Sequence, residues 1–247
     1  MKSKLVTRLE RLSKPAQPMG FRTAVAEKTS SMLLIANLTT LDSEAIAATS
    51  RANVDAVILP AAELSKKPEA VALLKGVIPW GIYLNTSNLE EVKALQEKGC
   101  DFVIFEPSAA PASALKLEMG KIVQLDPSLP DGMLRTANLL PVDGILVRGN
   151  EKMTVQRLMA YYQLGAMMRK PLIAELPAGA AKDLAAAWEA GVNAAVVGGS
   201  RTALDAFRKE IEGLPAKRAQ KREVGATLPS LAAEPAQAED EEEDDEP

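Results

Sequence analysis

Four times along this chain an apolar run is introduced by the same short phrase: Ala52-Asn-Val-Asp-Ala-Val-Ile, Gly99-Cys-Asp-Phe-Val-Ile, Pro141-Val-Asp-Gly-Ile-Leu and Gly191-Val-Asn-Ala-Ala-Val-Val. The acid or amide falls at Asp55, Asp101, Asp143 and Asn193, at intervals of 46, 42 and 50 residues. Each interval is long enough for two strand–helix units, so the period is that of a quarter-barrel. Reading the apolar runs as buried parallel strands and the 3.6-period stretches between them as helices predicts strands at 32–38, 55–60, 79–85, 101–106, 121–126, 143–148, 171–176 and 194–199. Eight alternating pairs make an α/β chain of the (β/α)8, or TIM-barrel, class.

Local signals agree with that frame. Asp42 or Ser43, Asn88 with Glu91, and Thr154 are placed to start helices. Gly99, Gly120 and Gly191 stand where helices should stop before the next strand. The helix through Pro111 is expected to be the shortest.

The barrel is expected to occupy residues 32–213, between two appendages. Residues 1–31 form an N-terminal extension of net charge +5, in which Leu5, Leu9 and Leu12 share one face of a short amphipathic helix suited to covering the bottom of the barrel. Residues 214–247 lose periodicity and gather Pro, Ala and like charges, with nine acids and no base over 234–247, the composition of a disordered charged tail.

Composition narrows the chemistry. The chain has no histidine, which removes Ser-His and Cys-His nucleophiles, histidine metal ligation and the commonest neutral-pH acid or base. The single cysteine, Cys100, precedes a strand and reads as a buried structural thiol. Aromatic residues make up only 4%, too few for a base-stacking surface, so nucleic acid is not an expected partner. No apolar run is long enough to span a membrane, and a cytoplasmic location is the expectation.

Active sites of such barrels lie at the carboxyl ends of the strands. There the odd strands finish on Asn37, Asn85, Asp126 and Glu175, and the even strands reach Pro60, Glu106, Arg148 and Gly198. Asn37 and Asn85 are the expected substrate-binding amides. Asp126, Glu106, Arg148 and Glu175 are the candidate catalytic set, with Arg148 expected between the carboxylates of Asp126 and Glu175. Two readings of that set stay open, a substrate-orienting arginine beside a carboxylate base, or an ion network closing the barrel top. Oxygen ligation of a divalent cation by Asp126, Glu106 or Glu175 is a third, opposed by the arginine. Lys121 and Lys170 precede strands, so no Schiff-base lysine is expected at the mouth. Tyr83 is expected to point outward into the helices, and Tyr161, Tyr162, Met167 and Met168 to pack in the core.

The last quarter is the most distinctive: Glu175-Leu-Pro-Ala-Gly179 after strand 7, then Gly198-Gly199-Ser200-Arg201-Thr202 after strand 8. Over residues 171–207 the chain resembles the ribulose-phosphate-binding and FMN-linked (β/α)8 barrels, in which glycine loops after strands 7 and 8 hold a ligand's phosphate. The resemblance implies binding of a phosphorylated small molecule, a sugar phosphate or flavin mononucleotide (FMN), at Gly179, Gly198, Gly199, Ser200 and Arg201. It implies proton-transfer or carbon-bond chemistry if the protein is an enzyme. The alternative is a non-catalytic barrel with a regulatory or assembly role through its charged termini. A homo-oligomer is compatible with either.

Deleting residues 234–247 is expected to leave the thermal melting temperature nearly unchanged. Differential scanning calorimetry of the truncated chain checks this, and a large drop would make the acidic segment part of the folded unit.

Overall fold

The structure is a computed structural model that describes residues 3–13, 30–64, 66–67, 78–84, 89–149 and 152–215. Eight parallel strands close into a barrel in chain order: β1 (Leu33–Asn37), β2 (Ala56–Leu59), β3 (Trp80–Tyr83), β4 (Phe102–Phe105), β5 (Gly120–Leu125), β6 (Gly144–Val147), β7 (Leu172–Glu175) and β8 (Val192–Gly198). Each overlaps its predicted segment, because strands buried on both faces read as continuous apolar runs. The (β/α)8 architecture expected from the repeat is therefore the observed one.

The described helices are α1 (Lys4–Ser13), α2 (Ser43–Arg51), α3 (Ala61–Leu64), α4 (Leu89–Glu97), α5 (Asp131–Thr136), α6 (Val155–Met167), α7 (Leu184–Glu189) and α8 (Arg201–Gly213). Between β4 and β5 the chain makes only a 3-10 turn, Ala112–Lys116, which is the weak helix through Pro111. Thr154 caps α6 by accepting the Arg157 N–H at 3.2 Å, whereas Asp42 precedes α2 without a side-chain cap. Gly99 and Gly191 take left-handed φ values of 98° and 100°, as glycines ending helices should. Gly120 serves otherwise: it opens β5, where an added Cβ would lie 2.8 Å from Ser3 Oγ and 2.9 Å from Phe102 Cβ. Asn88 lies outside the described residues.

Strand alternation sorts the core into two parts. Leu34, Val57, Ile82, Val103, Val123, Val147, Ala174 and Val197 face outward against the helices. Leu33, Ile35, Ile58, Ile104, Ile122, Leu146, Ile173 and Val196 face the barrel interior. That interior also carries Ala56 and Ala194, and glycines at 81, 120 and 144 on inward register positions, so the strands alone underfill it. The Phe102 ring of β4 and helix α1 supply the missing volume: Phe102 lies against Gly81, and Leu5 and Leu9, with no exposed surface, pack into the interior cluster, with Leu12 at its edge.

The four repeat residues explain how the amino-terminal end is held. Asp55 Oδ2 accepts the Leu34 N–H at 2.9 Å, Asp143 Oδ2 the Lys121 N–H at 2.8 Å, and Asn193 Oδ1 the Leu172 N–H at 3.0 Å. Each ties the foot of its strand to the strand before it. Asp101 is used differently. Its carboxylate accepts the backbone N–H groups of Lys4 and Leu5 at 2.8 and 3.0 Å and the Ser3 hydroxyl at 2.6 Å, so it holds the start of α1 against the barrel floor. An acid suits that place twice, as an acceptor of three donors and as a negative charge at a helix N-terminus.

Asp101→Ala should destabilise the protein by about 1–3 kcal/mol, since three donors lose their acceptor at once. Urea unfolding of wild type and variant measures this, and an unchanged midpoint would mean that α1 is not held by this carboxylate.

Candidate functional site

The mouth of the barrel is built from residues that continue the inward alternation by one step. Asn37 ends β1 half-buried, and Glu175 ends β7 buried. Arg148 follows β6, exposed, with its Nε 3.8 Å from Glu175 Oε2. Its guanidinium carbon lies 5.1 Å from the centre of the Tyr83 ring. Arginine, carboxylate and phenol thus form one cluster over the interior core, an ion pair with a cation–π contact on its second side.

Tyr83 corrects the sequence reading. It packs against the barrel interior instead of the helix layer, because inward positions on β3 run two apart and Tyr83 follows Gly81 in that register. Its hydroxyl oxygen is buried beside the Arg148 guanidinium, and among the described residues no acceptor takes its proton. Burial, and then the negative charge of Glu175, raise the phenol's pKa above its ordinary value, so it stays protonated. A buried donor left unmade is costly, at about 1–3 kcal/mol.

Arg148 pairs with only one of its two expected partners. Asp126 lies exposed at the end of β5 and turns back on its own loop, where Oδ1 accepts the Ser128 N–H at 2.8 Å. That hydrogen bond holds its carboxyl below the usual range. Glu106 is exposed as well and accepts the Ser108 hydroxyl at 2.9 Å. Glu106, Asp126 and Arg148 nonetheless line one cleft of about 1030 Å3, running from the ends of β4, β5 and β6 to the flank of α6. Asn85 lies outside the described residues.

Two further cleft residues escaped the sequence reading. Gln124, half-buried, lies between Ile122 and Asp126 on the inward register of β5, so counting back two from Asp126 would have found it. Arg157 donates to the Arg148 carbonyl oxygen and, through Nε, to the Tyr161 hydroxyl at 3.0 Å. Nothing in its spacing marked it, since the contact needs the start of α6 to be folded over the end of β6.

The predicted phosphate residues divide. Gly198 is exposed, with open space where a Cβ would stand, and Ser200 precedes the 13-residue α8. The Ser200 hydroxyl makes no capping bond, so the first N–H groups of α8 have no side-chain acceptor. Gly199 is otherwise engaged: its N–H donates to the Asn37 carbonyl at 3.0 Å, and a Cβ there would strike the Leu38 side chain. Its smallness serves the β8–β1 closure, and its amide is spent within the protein. Arg201 lies along its own helix with Nε 3.7 Å from Asp205 Oδ2. Gly179 is exposed in a turn closed by the Ala180 N–H on the Pro177 carbonyl, and the chain then enters a 3-10 turn and the six-residue α7. Only the β8 side of the expected phosphate site therefore opens onto a long helix.

The remaining titratable candidates are structural. Lys170 Nζ donates to the Leu140 and Val142 carbonyls at 2.7 and 2.6 Å, and Lys121 Nζ to Leu117 at 3.0 Å. Burial pushes the Cys100 thiol up to about 12, which leaves it un-ionised. Among the described residues no group of three or more Cys, Asp or Glu could hold a metal ion, and no helix is long and apolar enough to cross a membrane.

No family model and no curated protein matches this chain. Solved structures do. A mutant tryptophan synthase alpha-subunit from Pyrococcus furiosus is 14% identical with a TM-score of 0.54, the match covering 73% of this chain and 96% of that one. N-(5'-phosphoribosyl)anthranilate isomerase from Pyrococcus furiosus is 12% identical with a TM-score of 0.55, covering 74% and 100%. Dihydropteroate synthase from Xanthomonas albilineans is 16% identical with a TM-score of 0.53, covering 73% and 90%. At these identities the likeness establishes the (β/α)8 fold and goes no further.

The two glycines after β8 should respond oppositely to substitution. Gly199→Val should cost about 1–3 kcal/mol through overpacking against Leu38, while Gly198→Ala should stay within about 0.5 kcal/mol of wild type. Thermal and urea melts of both variants test this, and equal stability would remove the packing role assigned to Gly199.

Proposed function

We propose that this barrel binds a phosphorylated small molecule at its carboxyl-terminal mouth. The observation that carries the reading is the Tyr83 hydroxyl, buried over the barrel interior beside the Arg148–Glu175 pair, with no acceptor for its proton among the described residues. A donor held at that cost is accounted for by an acceptor atom of a ligand. The class of ligand is argued from the rim. The uncapped start of α8 with Ser200 offers backbone N–H groups, a hydroxyl and the positive end of a helix dipole to an anion. Open space at Gly198 leaves that approach clear. The resemblance over residues 171–207 supports the same class, as does the phosphoribosyl compound in the name of one structural neighbour.

Sugar phosphates and FMN both belong to this class. Gly198, Ser200 and the start of α8 fit a phosphate end. A bound flavin would bring its own hydride chemistry, and Arg148 and Tyr83 would orient whatever lies over the barrel centre. In an enzymatic role, proton-transfer or carbon-bond chemistry on the phosphorylated substrate, Glu175 is the candidate base and Arg148 the orienting cation. Asp126 is the weaker base, since its carboxyl is held in the ionised form by Ser128. Glu106 and Gln124 would then contact the ligand's distal part in the cleft. A second reading, a barrel without catalysis that works by assembly, is favoured by the apolar outer face of α6, where Val155, Met159 and Tyr162 are all exposed.

A melt screen with sugar phosphates, FMN and inorganic phosphate tests the proposal. A specific ligand at a hundredfold excess over its Kd should stabilise the protein by about 2.7 kcal/mol. Ser200→Ala should weaken binding of that ligand by roughly 0.5–1.5 kcal/mol, and Tyr83→Phe should weaken it without loss of stability, because it removes an unsatisfied group. No stabilisation by any phosphorylated compound, or equal affinity in all three proteins, would leave the assembly reading as the better one.

A further inference from the structure

Helix α6 departs from the other long helices of the barrel on its solvent side. The exposed face of α8 carries Arg201, Asp205, Lys209 and Glu212, and that of α4 carries Glu90, Glu91, Lys93 and Glu97. These are ordinary solvated surfaces. On α6, Tyr161 and Leu164 are fully buried against the barrel, and the side opposite them holds Val155, Met159, Tyr162 and Ala166. The first three are 75%, 66% and 53% exposed. Tyr162 was expected in the core with Tyr161. One residue is about 100° of helix, however, which carries it round to the outer face.

The stripe is free of charge. The one ionic residue on α6 is Arg157, and it turns inward to the Arg148 carbonyl and the Tyr161 hydroxyl. At the carboxyl end of α6 the Asn138 side chain bonds the Met167 carbonyl and the Arg169 N–H, and the next residue in the chain, Leu139, is 84% exposed. Met133, 61% exposed, lies across the cleft from Met159. Together these side chains present apolar area on the order of several hundred Å2, above what scattered surface residues give and approaching the ~800 Å2 that each partner contributes to a standard interface.

We infer that the outer face of α6 is a two-fold interface with a second copy of this chain. The spacing of the stripe supplies the occupant. Val155, Met159, Tyr162 and Ala166 are separated by four, three and four residues, an order that reads the same in both directions. A two-fold axis between residues 160 and 161 lays two α6 helices antiparallel, with Met159 on the partner copy's Tyr162 and Val155 on its Ala166. The two large side chains meet at the centre in a sulfur–aromatic contact, and small ones close the ends. A charged partner would find nothing on this face to pair with. An identical uncharged face meets it without burying an unpaired ion.

Sedimentation of the full-length chain tests the inference, with wild type expected to dimerise and Met159→Glu and Tyr162→Glu each expected to weaken the dimer about tenfold or more. Both positions are exposed, so far-UV circular dichroism should match wild type, and melting should match once all three proteins are diluted to monomers. The register has its own test: mixing Met159→Cys chains with Tyr162→Cys chains under mild oxidation should give a cross-linked dimer faster than either variant alone. Cys100 is buried and stays out of the exchange. A wild-type chain that is monomeric at every concentration, or captured through α6 only by a different protein, overturns the inference. So does a dimer that both glutamate variants leave intact, or cross-linking with no preference for the mixed pair.

Discussion

The interior of this barrel is too thinly furnished to close on its own side chains, and the rest of the structure depends on how that space is filled. Alanines at 56 and 194 and glycines at 81, 120 and 144 leave room at the amino-terminal end; the Phe102 ring takes the space beside Gly81, Ser3 packs against Gly120, and α1 enters the interior with Leu5 and Leu9. A helix in that position brings unsatisfied N–H groups to a buried edge. Asp101 and Ser3 resolve the conflict: the carboxylate takes the first amides of α1, and the Ser3 hydroxyl both accepts from Val6 N–H at 3.2 Å and donates to Asp101. The filled floor is the platform on which the inward layer above it stands.

At the other end the same alternation that builds the core ends in charge. Arg148, Glu175 and Tyr83 sit one step above the apolar interior residues, where the strands run out and water begins. The ion pair is half-exposed, so its strength in water is modest, and its value is positional. It fixes a guanidinium over a phenol whose hydroxyl finds no acceptor among the described residues. That unmet donor and the uncapped start of α8 are the two features on which the proposed ligand site rests.

The outside of the barrel carries a comparable irregularity. Helices α4 and α8 present charge to solvent, while α6 presents a neutral apolar stripe next to the cleft. Met159 belongs to both features, being exposed on the stripe and lining the cleft. Binding at the mouth and pairing through α6 would share that side chain.

Much of the fold was legible in the chain itself. The recurring phrase around Asp55, Asp101, Asp143 and Asn193 marked the foot of every even strand: Asp55, Asp143 and Asn193 repeat one bond to the preceding strand, and Asp101 at the same place holds the start of α1. Strand-end residues such as Glu175 and Arg148 were also legible, since period-two alternation carries inward facing along a strand. What escaped were properties set by neighbours distant in sequence. The inward facing of Tyr83 was a local miscount, since Asn85 two residues on shares its face, but its unmet hydroxyl is visible only once Arg148 and Glu175 stand beside it. The sequence permitted Arg148 to bridge two carboxylates, but Asp126 is drawn off by Ser128 in its own turn. A glycine pair after β8 looked like two equal anion contacts; the closure of β8 on β1 commits the Gly199 amide to Asn37 and leaves Gly198 open. Periodicity and local spacing thus determined which residues are strand, helix and rim, because those depend on neighbours a few positions away. Which rim groups pair, which amides remain free and which helix face stays bare were decided by packing across the barrel, where the partners lie tens of residues apart in the chain.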